Sequence, residues 1–186
     1  QRLVYTSTPS VTFAGRDENG INESAPYAET YLNYYGESKA IAEQHVLAAN
    51  SAQLHTTALR PHLIWGPNDP HLVPRVIERA KAGRLTLVGN EDKLVDTIYV
   101  DNAAYAHVLA ALDLVTNAKC AGKAYFLSND QPITMADMLN RILACVDLQP
   151  VTKRVPAGVA YTAGVVLETV YGLLNKSQEP IMTRFV

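Results

Sequence analysis

The sequence predicts an α/β fold that becomes more helical towards its C-terminal end. Residues 2–8 are apolar and rich in β-formers and predict a short strand that Pro9 ends, and residues 55–61 predict a second strand that ends near Pro61. Between them, residues 34–50 carry apolar side chains at helical spacing. A strand, a helix and a second strand in this order indicate an α/β organisation.

The other predicted elements follow from the same patterns. Residues 11–33 are polar and rich in Gly, Asn, Glu and Pro, too long for a simple connector, so we expect this segment to be functional or mobile. Helices are predicted over residues 72–82, ending at Gly83, over 101–115 with Asp101 as N-cap, and over 134–146. Short strands are predicted over residues 85–88, 94–100 and 124–127.

Composition argues against several classes of function. The net charge is −2 and no basic run occurs, so nucleic-acid binding is not indicated. Cys120 and Cys145 form neither a metal nor a redox motif, and we expect two free thiols in a reducing compartment. The five histidines lack ligand spacing, so no metal site is expected. His62 and His71 are interpreted as hydrogen-bonded polar residues rather than catalytic ones.

The most informative motif is the pair Tyr35 and Lys39, which share one face of the predicted helix because they are four residues apart. A phenol alone is a weak acid with a pKa of about 10, and a neighbouring cation favours its ionised form. The pair is therefore suited to proton transfer. Tyr34 lies roughly a third of a turn off this face and is predicted to be a packing neighbour. With ten tyrosines in the chain, the motif needs support from its context.

Three hydroxyl side chains, Thr6, Ser7 and Thr8, end the first predicted strand before Pro9. Open α/β sheets bind ligands outside the carboxyl ends of their strands. A hydroxyl at that place can donate a hydrogen bond to a substrate oxygen that gains charge. The alternative is an ordinary turn, since Ser and Thr are frequent before a proline in turns.

These motifs together resemble the second half of an extended short-chain dehydrogenase/reductase. They are Thr6-Ser7-Thr8, Tyr35-x-x-x-Lys39, and Leu59-Arg60-Pro61-x-x-x-x-Gly66-Pro67-x-Asp69, at the mutual spacings of that family. The resemblance continues through Tyr99-Val100-Asp101-Asn102 and covers most of the chain. Within the superfamily, residues 3–11, 59–67 and 94–104 are similar to the 3β-hydroxysteroid dehydrogenase group.

The resemblance implies the C-terminal part of a Rossmann-type, doubly wound parallel sheet plus a smaller mixed α/β substrate domain. It assigns residues 1–66 to the Rossmann domain and most of residues 67–186 to the substrate-binding region, with some segments returning to the first domain. In the family, the Gly-rich phosphate-binding turn and the residue that selects NAD or NADP precede the strand that corresponds to residues 2–8. This chain contains no G-x-G-x-x-G motif. We therefore interpret the sequence as a fragment whose N-terminal half is missing.

The resemblance also implies roles for individual residues. Tyr35 is the proton donor, and Lys39 both tunes Tyr35 and bonds the nicotinamide ribose. Thr8 aligns with the family's catalytic Ser or Thr and positions the substrate oxygen, with Ser7 and Ser10 as alternatives.

Other predicted contacts surround the nicotinamide and the substrate. The expected cofactor-binding residues are Ser7, Tyr35, Lys39, Pro61, His62 and Leu63. Pro61 and the backbone of the next two residues should flank the nicotinamide. Ser10, Tyr31 and Trp65 are candidates for the substrate pocket, although the two aromatic residues could equally belong to the core.

By resemblance, the activity is that of an NAD(P)-dependent oxidoreductase that interconverts a ketone and a secondary alcohol, with NADP favoured. The favoured substrate is a lipid-like 2-alkyl-3-oxoalkanoate, reduced to the 3-hydroxy acid in long-chain olefin biosynthesis. Alternatives are a 3β-hydroxysteroid or a nucleotide sugar, the latter in an epimerase or dehydratase. A non-catalytic NAD(P) sensor or scaffold is an alternative of a different class. The scarcity of polar and cationic groups in the C-terminal half argues against the nucleotide sugar.

Residues 155–174 are nearly all apolar and about long enough to span a bilayer, but Glu168 and three glycines interrupt them. Their apolar side chains fall on one helical stripe: Val159, Ala163, Val166, Leu167, Val170 and Leu174. We expect an amphipathic helix covering the substrate pocket or a partner surface. Peripheral membrane contact ranks second, and a membrane span ranks last. We expect a cytoplasmic protein and leave open a membrane association, a homodimer and contacts with other enzymes of the same pathway.

Overall fold

The computed structural model describes residues 1–173 and divides the chain into two compact units. Unit 1 contains Gln1–Asn68 and Asp96–Pro132, and unit 2 contains Asp69–Val95 and the chain from Ile133 onwards. The chain therefore leaves unit 1 after Asn68, returns to it at Asp96 and leaves it again after Pro132. The assignment of the two units to cofactor and substrate stays a prediction.

Unit 1 is built on a three-stranded parallel sheet with the order β1-β2-β7. Its strands are β1 (Arg2–Thr6), β2 (His55–Pro61) and β7 (Lys123–Leu127). The central strand is buried along almost its whole length, as expected for a parallel strand covered on both faces. A second pair of parallel strands joins β3 (Leu63–Trp65) to β6 (Thr97–Tyr99).

Two helices cover the sheet of unit 1: α1 (Tyr34–Ala48) and α3 (Val100–Thr116). Arg60 on β2 bonds Glu43 of α1, whereas the His55 ring on the same strand lies 3.4 Å from the Leu114 carbonyl of α3. Residues 55 and 60 are separated by an odd number of positions, so their side chains lie on opposite faces of the strand. The two helices therefore cover opposite faces of the sheet.

The start of α1 is fixed by a cap and by a close approach to the preceding turn. The Asn33 side chain accepts a hydrogen bond from the Gly36 N–H at 2.8 Å, a typical N-cap contact. A Cβ atom added at Gly36 would lie 3.2 Å from the Ser10 carbonyl oxygen. The glycine thus lets α1 begin directly against the 3-10 turn Pro9–Val11, which follows β1.

Unit 2 is a small α/β arrangement with short strands. Its elements are α2 (Leu72–Lys81), β4 (Leu87–Val88), β5 (Leu94–Val95), β8 (Ile133–Thr134), α4 (Met135–Ala144), β9 (Arg154–Val155) and α5 (Ala157–Leu173). Strands β4 and β9 pair in parallel, and β5 and β8 pair antiparallel. The buried core consists of Val76, Leu87, Met138, Leu139 and Leu143.

The structure corrects several predicted elements. The predicted strand over residues 94–100 is two strands, because β5 pairs within unit 2 and β6 pairs within unit 1, with Asp96 at the break. Asp101 is not the N-cap, since α3 begins at Val100 and Tyr99 is the cap residue. The first strand ends at Thr6, two residues before the predicted end, because Thr8 caps the following 3-10 turn.

The predicted apolar stripe of the C-terminal helix is only partly covered in its described part. In α5, Ala163 and Leu167 of the stripe are half-buried, but Val159 and Val166 are 57% and 60% exposed, whereas the small residues Ala160 and Gly164 are buried. The covered face is therefore shifted towards small side chains. The predicted contributions of Val170 and Leu174 lie outside what the structure describes. Within residues 1–173, no helix is both long and apolar enough to cross a membrane.

Candidate active site

Tyr35 and Lys39 lie where α1 passes the carboxyl end of β1. The Lys39 Nζ atom donates a hydrogen bond to the backbone carbonyl of Thr6 at 2.9 Å and lies 5.1 Å from the centre of the Tyr5 ring. Tyr35 precedes Lys39 by one turn on the same helix face, and it is 54% exposed. The structure thus places the cation of the predicted pair beside the end of a parallel strand and leaves the phenol open to a ligand.

Thr8 and Ser10 form a hydrogen-bonded pair of hydroxyls directly after β1. The buried Thr8 side chain accepts a bond from the Ser10 N–H at 3.3 Å and donates one to the Ser10 hydroxyl at 3.2 Å. Thr8 therefore forms the turn that was the alternative interpretation of this segment. Because Ser10 only accepts in this contact, its own hydroxyl hydrogen is available for another acceptor.

Ser7 contributes a buried hydroxyl next to these two residues. Its backbone N–H donates to the Leu59 carbonyl at 2.6 Å, which continues the pairing of β1 with β2. Its Oγ atom is buried and makes no well-formed hydrogen bond within residues 1–173, yet it lies near enough to the Glu43 carboxylate to help lower the pKa of that group. Buried polar groups without a well-formed hydrogen bond are rare in native proteins.

A buried ionic cluster that the sequence patterns did not predict lies on α1 one turn beyond Lys39. Glu43 is fully buried on α1, and its carboxylate accepts hydrogen bonds from Arg60 Nη2 at 2.6 Å and from Tyr27 Oη at 2.8 Å. Burial alone would raise the pKa of Glu43, but the hydrogen bonds and positive charge of Arg60 lower it overall. Burial, followed by the bond to Glu43, raises the pKa of Tyr27 to about 12.

The sequence contained a signal for this cluster. Glu43 is four residues beyond Lys39 and eight beyond Tyr35, so it continues the same helix face towards the interior. Arg60 stands inside the Arg-Pro motif. Local sequence patterns could not predict that Glu43 and Arg60 pair, because they lie on different elements, α1 and β2, which meet only in the folded chain.

The residues predicted to flank the nicotinamide follow one another at the end of β2. Pro61 is buried, and the backbone N–H of His62 donates to the Leu127 carbonyl at 2.9 Å. The His62 ring lies 5.8 Å from the ring of Phe126. Burial lowers the pKa of His62, partly opposed by nearby carboxylates, so its imidazole is neutral at pH 7. Leu63 is partly exposed at the start of β3.

The predicted pocket aromatics have defined contacts. Trp65 packs edge-on against Tyr99 with ring centres 5.1 Å apart and remains 42% exposed. The Tyr31 hydroxyl donates to the Val11 carbonyl at 3.4 Å, and burial, with nearby carboxylates, raises the pKa of Tyr31. Neither residue belongs to the fully buried core, and their contact with a substrate stays a prediction.

The glycine and aspartate of the Arg-Pro motif have structural roles. A Cβ atom at Gly66 would lie 2.5 Å from Val100 Cγ1, so only glycine allows this approach. The Asp69 carboxylate accepts hydrogen bonds from the N–H groups of His71, Leu72 and Val73 at 2.9, 3.2 and 2.8 Å. These bonds outweigh burial and lower the pKa of Asp69. Asp69 therefore caps the start of α2.

Unit 2 contains a pocket of about 920 Å³. Its apolar lining includes Leu72, Val76, Leu85, Leu87, Met135 and Leu139, and its cationic lining includes Arg75, Arg79, Lys93 and Arg154. Arg154 is paired with Asp92. Of these four cations only Arg154 belongs to the C-terminal half of the chain, so the expected scarcity of cationic groups in that half is not contradicted. No group of three or more His, Cys, Asp or Glu side chains within the described residues could hold a metal ion.

Known proteins resemble this chain in sequence and in fold. The model of the 3-beta hydroxysteroid dehydrogenase/isomerase family matches residues 1–153. The chain is 69% identical to the 2-alkyl-3-oxoalkanoate reductase of Shewanella oneidensis over 193 residues, covering all of this chain and 50% of that protein. It is 41% identical to the decarboxylating sterol-4-alpha-carboxylate 3-dehydrogenase of Homo sapiens, covering 84% of this chain and 43% of that protein.

A solved structure shows the same fold at low sequence identity. The dTDP-glucose 4,6-dehydratase of Bacillus anthracis, crystallised in complex with NAD, superposes with a TM-score of 0.65 at 21% identity. The match covers 83% of this chain and 49% of that one. The chain spans about half the length of the curated relatives it matches.

Proposed function

Because this chain belongs to the 3-beta hydroxysteroid dehydrogenase/isomerase family, we propose that it forms the catalytic half of an NAD(P)-dependent oxidoreductase. Its substrate is a 2-alkyl-3-oxo acid, which the full-length enzyme interconverts with the 3-hydroxy acid. The observation that carries this proposal is the Lys39 ammonium at the carboxyl end of β1, one helical turn from the exposed Tyr35 phenol.

The names of two relatives describe one chemical pattern. A 2-alkyl-3-oxoalkanoate carries its oxo group on the carbon next to the one that bears the carboxylate. A sterol-4-alpha-carboxylate 3-dehydrogenase acts at position 3, next to the carboxylate-bearing position 4. Both names therefore place the reacting carbon beside a carbon that carries a carboxylate, and this supports a branched 3-oxo acid as the substrate class.

The residues at the end of β1 fit the nicotinamide end of a dinucleotide. Lys39 has donor capacity beyond its bond to Thr6, and the buried Ser7 hydroxyl, which lies near the Glu43 carboxylate, makes no well-formed hydrogen bond within residues 1–173. We propose that Lys39 and Ser7 hold this end of the cofactor, with Pro61 beside it. When bound, the dinucleotide supplies the hydride that the carbonyl carbon receives.

The side chains of the site then stabilise and protonate the substrate oxygen. Tyr35 Oη donates a proton to this oxygen as it gains negative charge, and the Lys39 ammonium stabilises the phenolate that remains. The hydroxyl pair of Thr8 and Ser10 donates a hydrogen bond to the same oxygen, through the free hydrogen of Ser10. The half-buried Tyr27 does not take part, because its hydroxyl already donates to the Glu43 carboxylate and its pKa of about 12 makes it a weak proton donor.

The pocket of unit 2 supports an amphiphilic acid as substrate. Its apolar residues suit alkyl chains, since each buried methylene contributes about 0.8 kcal/mol. Its arginines suit a carboxylate, which they bind in a planar, bidentate manner. The same arginines would suit the phosphates of a nucleotide sugar, which makes a sugar-nucleotide epimerase or dehydratase the second candidate.

An acyl-length series tests the substrate class. The full-length enzyme is assayed for oxidation of 2-alkyl-3-hydroxyalkanoates of increasing length with NADP⁺ and with NAD⁺, beside a 3β-hydroxysteroid and UDP-galactose. We expect kcat/KM to rise with chain length, by up to about fourfold per methylene, until the pocket is filled. A flat length dependence together with strong activity on UDP-galactose would overturn the acid substrate in favour of the second candidate.

A further inference from the structure

Helix α1 carries the catalytic pair, yet it buries few side chains. Its buried residues are Gly36, Ala40 and Glu43. Gly36 and Ala40 have the smallest side chains. Small side chains let a helix lie close to a sheet, but they do not insert into the grooves of the sheet. Such packing fixes the rotation and the axial position of a helix only weakly, because both depend on side chains that fit into the grooves of a neighbour. Val46 and Leu47 are half-buried further along the helix, and Lys39 bonds the Thr6 carbonyl, so among the fully buried side chains of α1 only Glu43 can define its rotation.

Glu43 makes directional contacts with the sheet. Arg60 Nε donates to both carboxylate oxygens at 3.2 and 3.1 Å, and Arg60 Nη2 donates to Oε1 at 2.6 Å. Hydrogen bonds between charged groups are short and orientation-dependent, so this pair allows one relative arrangement of helix and strand. A rotation or a slide of α1 that broke these bonds would also move Lys39 and Tyr35, one and two turns away.

The guanidinium group of Arg60 lies against two aromatic rings. The guanidinium carbon lies 5.0 Å from the centre of the Phe126 ring and 5.6 Å from the centre of the Tyr27 ring, within the range of cation–π contacts. Arg60 immediately precedes Pro61, and only 3% of it is exposed. The pair therefore connects α1 to a fixed point on β2, next to the proposed cofactor position.

The energetics favour a positional role over a purely stabilising one. Two charges lose their hydration when they are buried, and well-packed apolar residues often replace such a pair without loss of stability. A buried ion pair in a helix that otherwise buries Gly and Ala is better explained by the geometry that it imposes.

We infer that Glu43 and Arg60 are positioning residues that set the rotation and axial position of α1, and thereby the places of Tyr35 Oη and Lys39 Nζ. Tyr27 couples residues 12–33 to the same pair, because its hydroxyl bonds the Glu43 carboxylate at 2.8 Å. Both members of the pair are buried and act on the reaction only through Tyr35 and Lys39. The inference rests on the proposed oxidoreductase function.

The first test compares Glu43→Gln with Glu37→Gln in the full-length enzyme. Both variants remove one carboxylate from α1, but Glu37 is exposed. For Glu43→Gln we expect kcat to fall at least about tenfold while the Kd for NADPH and the KM for the acid change less than about threefold, since small misplacements of catalytic groups cost up to about 100-fold. Glu37→Gln should match the wild type. A folded Glu43→Gln with a lowered Tm and a kcat within about twofold of the wild type would overturn the inference.

If Glu43→Gln does not fold, Tyr27→Phe tests instead whether the Glu43–Arg60 pair positions Tyr35 and Lys39. It removes one hydrogen bond from the carboxylate and leaves the ion pair intact. We expect a decrease in kcat of about three- to tenfold with an unchanged Kd for NADPH. An unchanged kcat in Tyr27→Phe would then contradict the positioning role.

Amide hydrogen exchange separates this inference from the proposed function. Peptides covering residues 34–48 should exchange at least about tenfold faster in Glu43→Gln, or in Tyr27→Phe as its substitute, than in Glu37→Gln. Full-length enzyme that is inactive on every acid would refute the proposed substrate and leave this comparison intact. Unchanged exchange would refute the positioning pair whatever the substrate.

Discussion

The Lys39 ammonium donates a hydrogen bond to the backbone carbonyl of Thr6 at 2.9 Å, and this bond ties α1 to the last residue of β1. The Thr6 carbonyl lies at the carboxyl end of the parallel sheet, where ligands of such sheets bind. A cation bonded to this carbonyl is therefore well placed to meet a ligand. An ammonium has three donors, so Lys39 retains donors for a ligand while it holds the strand. The Lys39 side chain thus joins the helix of the proposed proton donor, Tyr35, to the strand that precedes the hydroxyls of Ser7, Thr8 and Ser10.

Replacing Tyr35 by Phe should lower kcat by about 100- to 10,000-fold, because it removes the proton donor but keeps the ring. Binding of NADPH, measured by fluorescence titration, should remain close to that of the wild type. Tyr34→Phe is the matched control, since Tyr34 is adjacent on α1 and, contrary to the packing role predicted for it, is 88% exposed. A Tyr35→Phe enzyme that kept more than about a tenth of wild-type kcat, with chemistry rate-limiting, would show that another group is the acid.

Lys39→Ala should weaken both turnover and cofactor binding. The substitution removes the cation beside Tyr35 and the bond to the Thr6 carbonyl, and it also removes a proposed contact to the nicotinamide ribose. Steady-state kinetics and NADPH titration of the full-length variant measure the two effects separately. Loss of kcat with an unchanged Kd for NADPH would contradict the proposed contact to the cofactor.

Thr8→Val and Ser10→Ala should each reduce kcat by roughly 100-fold, the usual cost of losing one donor to a developing oxyanion. Because Thr8 donates to Ser10, the double variant should be no worse than the more damaging single variant. Ser24→Ala, which removes an exposed hydroxyl from the same segment, serves as the control. Additive losses would mean that the two hydroxyls act independently.

The contribution of Glu43 to stability should depend on pH. The folded-state pKa of Glu43 lies below its ordinary value of 4.5, so the carboxylate stabilises the folded protein above pH 4.5. This stabilisation is lost as the pH falls through the folded-state pKa. The difference in unfolding free energy between wild type and Glu43→Gln should therefore be largest near pH 7, of the order of 3 kcal/mol, and should shrink below pH 4.5. Denaturant titrations across this range, with Glu37→Gln alongside, measure it, and a difference that grew on acidification would contradict the assignment.

The two cysteines should react with thiol reagents at very different rates. Burial, together with the Asp113 carboxylate, raises the pKa of Cys120 to about 11, whereas Cys145 is exposed. The thiolate is the reactive form, so Cys120 should remain unmodified at pH 8 while Cys145 is alkylated. Peptide mapping after brief iodoacetamide treatment of the native enzyme tests this. Equal labelling of both peptides would mean that the site of Cys120 opens readily.

Local sequence patterns were sufficient for the features that depend on one element. The shared face of Tyr35 and Lys39 follows from helical periodicity alone, and the structure contains the helix over Tyr34–Ala48. The sequence of residues 55–61 predicted a strand, and the structure contains it over His55–Pro61 at the centre of the sheet. These predictions needed no information about distant residues.

The tertiary structure decided the features in which distant segments meet. Glu43 and Arg60 pair across the helix-sheet interface, and neither residue type alone indicates whether it is buried or solvated. The hydropathy of residues 94–100 is that of one strand, but their partners lie in two different units, so the strand is divided at Asp96. In α5 the buried positions are Ala160 and Gly164, because close approach selects small side chains where the hydropathy pattern selected large ones. The sequence by itself determined which residues share a helix face or a strand, since backbone geometry sets that within a few residues, whereas burial and charge pairing required the partners that only the folded chain provides.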